Sequence, residues 1–396
     1  MQVWPVTARV RPGIDVLIES NLGAWHRARL GLLCGASGVT SSLMSTAGAL
    51  WRGGGARLVC LFATEHGLRG DAAAGELISS GIDTQTGLPV YSLYGDTREP
   101  TAAMLASIDA VLVDVQDVGL RYYTYPSTLH AVLRAAARHA CAVVVLDRPA
   151  PLTGNMVEGP VTERAFQSFV STPITPIRHG LTLGELARWM NDRDGIGADL
   201  HVVPMRGWCR TLWFDETGLA WVPPSPNIPT LASALAYTAT CLIEGTPLSE
   251  GRGTTQPFEI LGAPWVQGDA LAEQLNVLNL PGVRFRPVWF RPSASKHAHH
   301  TCVGVQMHVL DRRAFAGVRT GLHVLAALWR LHPDHMTWTV GPSGRPILDL
   351  LLGTDVARLA IERGEEMTGI ADAWYAGEAA FHIERASILV YEEERP

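Results

Sequence analysis

Four short, unbroken apolar runs punctuate the first half of the chain: Arg29–Cys34, Leu58–Ala63, Ala110–Val115 and Cys141–Leu146. Runs of this length read as buried strands. Between them the sequence predicts helices near Ser41–Trp51, over Pro100–Ser107 and over Ser127–His139. Strands alternating with helices imply a parallel sheet with right-handed crossovers. The runs are continuously apolar rather than alternating, as expected for a sheet covered on both faces. The fold class that follows is α/β, with a Rossmann-like parallel sheet in the N-terminal part.

Each predicted strand ends in a polar cluster. The first delivers Gly35 and Ser37, and the second Glu65, His66 and Arg69. The third delivers Asp114, Gln116 and Asp117, then Arg121, Tyr122 and Tyr123; the fourth delivers Asp147 and Arg148. In open α/β sheets ligands bind at this carboxyl edge. Leu58–Asp71 is the most informative stretch. A glutamate just past a buried strand is partly desolvated, which raises its pKa and keeps a proton available. His66 could orient Glu65 or act as a second acid/base. A structural alternative pairs Glu65 with Arg69 or places it at a helix start. Gly35-x-x-Gly38 is half of a dinucleotide fingerprint, but the full motif needs glycine where Leu33 stands. A Rossmann-like sheet without a nucleotide is the better reading, and no cofactor is expected. Neither a G-x-S-x-G elbow nor an H-E-x-x-H helix occurs.

Beyond the fourth strand, Thr182-Leu183-Gly184-Glu185 fits a capping box and predicts a helix over Leu183–Asn191. His201–Met205 reads as a short strand. Trp221–Thr230 is too rich in proline for regular structure. Cys241–Pro257 is a second polar, glycine-rich loop, carrying Glu244, Glu250 and Arg252. From about Phe258 the pattern suggests a smaller α/β unit. It has a helix over Ala270–Leu278, strands over Arg284–Phe290 and Thr301–Val309, a helix over Asp311–Arg330 and a closing strand over Ser387–Tyr391. The expected division is therefore residues 1–258 and 259–396.

Charge narrows the partners. The formal net charge is −6, so no global basic field exists to attract nucleic acid. Lys296 is the one lysine; the remaining cations are arginines. Arg69, Arg121, Arg148, Arg178 and Arg252 fall in strand-end or glycine-rich loops, so convergent guanidinium groups could bind a small anion such as a carboxylate. Ordinary pairing with Asp71, Asp117 or Glu158 is the alternative. The six cysteines form no C-x-x-C motif and are read as reduced core residues. Lys296-His297-Ala298-His299-His300 has the look of a metal cluster, but a solvated or substrate-facing loop is expected and no metal. Asp114-x-x-Asp117 is read as a polar rim. Residues 1–20 hold no apolar core of leader length, and no run reaches membrane-spanning length. A cytoplasmic location without membrane contact is the expectation.

Longer phrases carry a family resemblance. TEHGLRGD (64–71), TGLPVYSLYG (86–95), DVQDVGLRYYTYPST (114–128), LDRPAP (146–151), VEGP (157–160), RHGLTLGELA (178–187), WVPPSPNIPT (221–230), EGTPLSEGRGTTQPFE (244–259) and GAPW (262–265) are similar to the DUF1343 family. Its characterised members are exo-acting β-N-acetylmuramidases of the NamZ type. The resemblance runs from Gly13 to Tyr391. It implies a Rossmann-like domain and a smaller α/β domain with the site in the cleft between them. It also implies hydrolysis of terminal N-acetylmuramic acid from peptidoglycan fragments, a muropeptide or disaccharide substrate, and no nucleotide. Carried over by motif, Glu65 and His66 take the catalytic position. Arg69, Asp117, Tyr123, Asn227, Glu250 and Arg252 line the pocket, and Arg121, Arg148 and His179 join the substrate-binding set. Glu65 is then the general acid, and Glu250 or Glu158 the second carboxylate, with Asp117 behind. The lactyl carboxylate of muramic acid would give the arginines a partner. The sequence departs from the family at Cys34-Gly35-Ala36-Ser37-Gly38, at Ala150 and at Pro247, where asparagine-bearing phrases stand in relatives. Lost amide hydrogen bonds can change the preferred sugar. A non-catalytic muropeptide- or sugar-binding protein, or a hydrolase of another anionic glycoside, are the alternatives. Many relatives are exported, so recycling of imported fragments fits the absent export signal. The sequence does not speak to oligomeric state.

Overall fold

The computed structural model describes residues 10–53 and 57–393. The first nine residues, on which part of the leader expectation rests, lie outside them. Seven strands form the main sheet: β1 (Arg29–Cys34), β2 (Arg57–Ala63), β3 (Gly81–Ile82), β4 (Pro89–Ser92), β5 (Ala110–Asp114), β6 (Ala142–Leu146) and β7 (Leu200–Val203). Their spatial order is β3-β4-β2-β1-β5-β6-β7. All neighbours run parallel except β3 with β4. The chain moves from β1 outward to β2 and β4, then returns to the other side of β1 as β5. That reversal is the topological switch, and it opens a crevice beyond the carboxyl ends.

Every residue of β5 and β6 is buried, as their unbroken Val/Leu runs require. Apolar clusters cover both faces of the sheet, one built around Leu33, Phe62 and Val113, the other around Leu32, Leu61 and Leu112. Alternate residues of one strand therefore serve opposite cores. The predicted capping box holds: Thr182 accepts from the Glu185 N–H, and the helix runs Leu183–Arg193. All six cysteines are buried and free. No helix among the described residues is long and apolar enough to cross a membrane.

A second, antiparallel sheet holds β8 (Ile260–Ala263), β9 (Val283–Phe290) and β10 (Cys302–Val309), in the order β8-β10-β9. Its helix Gly317–Leu331 crosses the helix Leu231–Thr240 closely: a Cβ at Gly321 would lie 2.4 Å from the Ala239 carbonyl oxygen. That helix starts later than expected, because the Asp311 carboxylate accepts from the Arg313 N–H and holds a turn. The closing strand expected over Ser387–Tyr391 is absent. A 3₁₀ turn, Arg385–Ile388, is followed by an extended segment that two side chains anchor. The Val390 N–H donates to Glu185 Oε1 at 3.0 Å and the Tyr391 hydroxyl to Asp147 Oδ2 at 2.7 Å. Its backbone contact is with a loop, the Arg210 N–H donating to the Glu392 carbonyl at 3.0 Å, and no strand forms. Four short helices between Ile347 and Glu384 had no counterpart in the sequence reading.

Candidate active site

β2 ends at Ala63, and the chain then turns sharply. His66 and Gly67 both take left-handed conformations, with φ of 70° and 74°. This turn folds the Glu65 side chain back into the crevice, leaving the residue 7% exposed. A cavity of about 340 Å³ opens there. Glu65, His66 and Tyr94 form one wall, Tyr123 and Thr124 another, and Glu244 and Arg252 the side opposite in sequence. Two larger surface clefts exist, of about 590 and 680 Å³, and neither is lined by more than one carboxylate.

The Gly75 N–H donates to Glu65 Oε1 at 2.9 Å, so this oxygen must act as an acceptor. Glu65 Oε2 lies 2.7 Å from the Thr124 hydroxyl. A hydroxyl can donate to a carboxylate or accept from a carboxylic acid. The contact therefore suits both protonation states, and a proton on Glu65 has its place at Oε2. Thr124 opens the helix Thr124–Arg138, so a rigid element fixes that partner.

The ring of His66 is buried and its Nδ1 lies 3.0 Å from the Ala72 carbonyl oxygen. A carbonyl only accepts, so Nδ1 carries the hydrogen and the neutral ring keeps its lone pair on Nε2. Burial pushes the His66 pKa below the ordinary histidine value, and the Glu65 carboxylate offsets only part of this. Burial and the same carboxylate push the Tyr94 hydroxyl up. The Arg98 guanidinium stacks 3.7 Å above the Tyr94 ring.

Across the cavity, Arg252 donates from Nε to Glu250 Oε1 at 2.9 Å and from Nη2 to Glu244 Oε1 at 2.5 Å. Lys296 reaches Glu250 Oε2 at 3.2 Å and the carbonyls of Ile243 and Glu244. Both oxygens of Glu250 are thus engaged, and its side chain is only 3% exposed. Burial pushes the Glu244 pKa up, with Arg252 pulling against it and Glu250 adding to it. Burial opposes the Arg252 charge, yet Glu244 and Glu250 outweigh that and raise its pKa.

The structure brings together Glu65, His66, Tyr123 and Arg252 of the expected set. The others stand elsewhere, and the picture of converging guanidinium groups is corrected accordingly. Arg121 is fully buried and donates to the carbonyls of Pro160, Thr175, Leu351 and Leu352, cross-linking backbone. Arg148 clamps Asp114 through two hydrogen bonds of 2.6 and 2.8 Å. Arg178 donates to the Leu152 carbonyl, and Arg69 pairs with Asp83. His179 is buried, and burial lowers its pKa to about 3. Glu158 accepts from the Arg319 N–H at 3.0 Å and so caps the helix Gly317–Leu331 rather than facing the cavity. Asp117 accepts from the Gly119 N–H at 2.7 Å, and burial raises its pKa to about 7. Asn227 lines the neighbouring 680 Å³ groove. In the histidine loop, His297 Nε2 lies 2.8 Å from the Pro247 carbonyl and His300 Nδ1 2.9 Å from that of Ala298.

Sequence reasoning passed over Glu244, Tyr94 and Thr124 as site residues. Glu244 shares the EGTPLSEGRG phrase with Glu250, and only geometry separates the half-buried carboxylate that lines the cavity from the enclosed one. Tyr94 and Thr124 lay inside quoted phrases but carry no chemistry distinctive enough to single out.

Residues 30–232 match the family described as exo-beta-N-acetylmuramidase NamZ, N-terminal, and residues 235–391 match its C-terminal counterpart. The chain is 43% identical over 383 residues to the peptidoglycan beta-N-acetylmuramidase NamZ of Bacillus subtilis (strain 168), covering 97% of this chain and 92% of that protein. A crystal structure of a DUF1343 family protein from Bacteroides fragilis superposes with a TM-score of 0.90 at 36% identity, covering 98% of this chain and 100% of the other. A second from the same organism gives 0.77 at 28% identity, covering 97% and 99%.

Proposed function

The chain belongs to the NamZ family of exo-beta-N-acetylmuramidases, and from this we infer that it is a glycoside hydrolase releasing N-acetylmuramic acid from the non-reducing end of peptidoglycan fragments. The substrate is a small glycan. The observation that carries the reading within the site is Glu65: a nearly enclosed carboxyl group whose two oxygens are each held, facing a second carboxylate across one cavity.

Glycoside hydrolysis needs one carboxylic acid to protonate the leaving oxygen and a second group to stabilise or attack the sugar carbon. Glu65 supplies the proton from Oε2. Glu244 replaces Glu250 and Glu158 as the second carboxylate, since it alone of the three lines the cavity and its Oε2 has no hydrogen-bond partner among the described residues. Glu250 is instead the counter-charge that holds Arg252 and Lys296. His66, neutral, offers an acceptor at Nε2. Arg252 Nη1 has no partner among the described residues and meets the lactyl carboxylate.

The division into residues 1–258, carrying both carboxylates, and 259–396, covering the cleft, belongs to the same reading, as does a cytoplasmic role in recycling imported fragments. Incubation with the disaccharide N-acetylmuramyl-N-acetylglucosamine, followed by mass spectrometry, tests it. Free N-acetylmuramic acid is expected. Saturable binding with no product over prolonged incubation would replace the hydrolase with a sugar-binding protein.

A further inference from the structure

We propose that the groove of about 680 Å³ beside the catalytic cavity is the subsite for the leaving sugar, with Trp289 as its stacking platform. The proposal rests on the hydrolase reading above and adds a residue and a ligand ring to it. Three loops border both spaces. Ser225 and Ile228 face the catalytic cavity while Pro226 and Asn227 face the groove; Arg252 and Phe258 face the cavity while Thr255 and Gln256 face the groove; Ser295 and Ser293 divide in the same way. A glycan whose terminal sugar fills the cavity passes over these loops into the groove. The basic cleft of about 590 Å³ shares no such set of loops.

The lining suits a hexosamine. Trp289 is 60% exposed on β9, an edge strand paired on one side only. Its place in the groove lining, next to the catalytic cavity, makes this indole available to a ligand ring. Sugars present a face of C–H groups to such a ring and hydroxyls around its rim. The side-chain amides of Asn227 and Gln256 have no hydrogen-bond partner among the described residues, and both can match an acetamido group, which carries one donor and one acceptor.

The groove is also fixed to the catalytic loop. The Gly253 carbonyl accepts from the Ser293 N–H and hydroxyl, each at 2.8 Å. Gly253 takes φ of 75°, and a Cβ there would lie 2.5 Å from the Ala294 nitrogen. This tight seam joins the Arg252 loop to the segment that follows Trp289 and ends in Lys296. The platform therefore keeps a set position relative to the reacting atoms. In the reaction the bond from the muramyl C1 to the O4 of the leaving sugar breaks, O4 takes the proton of Glu65, and water adds its hydroxyl to C1 while its remaining proton passes to a carboxylate of the site, restoring the starting protonation.

The test compares two substrates in wild type, Trp289→Ala, Trp289→Phe and Gln256→Ala. One is the muramyl-glucosamine disaccharide; the other is the β-glycosyl fluoride of N-acetylmuramic acid, whose leaving group has no ring. Trp289→Ala should lower the ratio of kcat/KM for disaccharide over fluoride by about tenfold, the scale of one stacked ring, mainly through KM. Gln256→Ala should lower the same ratio, and Trp289→Phe should keep most of it. Equal losses on both substrates, or an unchanged ratio, would overturn the subsite. A wild-type protein that hydrolyses the fluoride but not the disaccharide would do so too. Hydrolysis of neither would bring down the hydrolase reading itself.

Discussion

The Lys296 ammonium lies 3.2 Å from Glu250 Oε2, so the chain's one lysine reaches from the loop between β9 and β10 into the loop that carries Arg252. Glu250 is thereby shared by two cations, Arg252 on Oε1 and Lys296 on Oε2. Replacing Lys296 with methionine leaves one oxygen of a buried carboxylate without its charged donor. Stability should fall by about 1–3 kcal/mol. Arg252, drawn more strongly to Glu250, should also loosen its hold on Glu244, so kcat should fall as well. Lys296→Arg keeps the charge and should recover most of both. Thermal denaturation with kinetics on the disaccharide checks this; unchanged melting and turnover in the methionine variant would mean that Arg252 alone satisfies Glu250.

Among the carboxylates, effects on rate and on stability should separate. Glu65→Gln removes the transferable proton and should cost about 10²–10⁴-fold in kcat. Glu244→Gln should fall in the same range. Glu158→Gln should keep turnover while costing about 1 kcal/mol of stability, because Glu158 caps the helix Gly317–Leu331 through the Arg319 N–H. Chromogenic muramoside kinetics beside urea denaturation of the three variants would show it. Loss of turnover in Glu158→Gln comparable to that in Glu65→Gln would return Glu158 to the reaction.

Strand positions were legible because burial on both faces forces continuous apolar runs, and β1, β2, β5, β6 and β7 stand within two residues of their expected bounds. Glu65 was legible for a related reason: an ionisable group at the carboxyl end of such a run has a crevice to face. The arginines were not. Arg121 and Arg252 look alike in sequence, each in a polar phrase beside aromatics or glycine. Only the packed fold turns one toward four backbone carbonyls and the other toward two carboxylates. The Ser387–Tyr391 segment misled because its apolar run resembles a strand, while its partners are the side chains of Glu185 and Asp147, far back in the chain.

The neutral state of His66 has a pH signature. Burial lowers its pKa in the folded protein, so the unfolded chain binds more protons between that lowered value and about 6.5. The stability it contributes is fully present above about pH 6.5 and is lost as pH falls through the folded value. His66→Gln removes the titration. Its stability should therefore depend less on pH than that of wild type between about pH 6.5 and the lowered value. Melting temperatures of both proteins across that range would show the difference. Parallel curves would place the sensitivity on other groups, such as buried His179.

Tyr391 ties the end of the described chain to the main sheet. Its hydroxyl donates to Asp147 Oδ2 at 2.7 Å and accepts from the Met205 N–H at 2.9 Å. Burial raises the Asp147 pKa to about 6, while Tyr391, Thr182 and Gly184 hold it down. A raised carboxyl pKa means that the folded protein keeps a proton that the unfolded chain has released. Over about pH 4–6 this lowers stability as pH rises. Tyr391→Phe removes one of the donors that restrain the shift, so Asp147 should rise further and the window should extend upward. The lost hydrogen bond should cost about 1–3 kcal/mol where Asp147 is charged and less where it is protonated, since charge-assisted bonds are the stronger ones. Urea denaturation of wild type and Tyr391→Phe at pH 4.5 and 7.5 measures this. A cost that is greater at the lower pH would mean that the hydroxyl serves the Met205 backbone more than the Asp147 carboxylate.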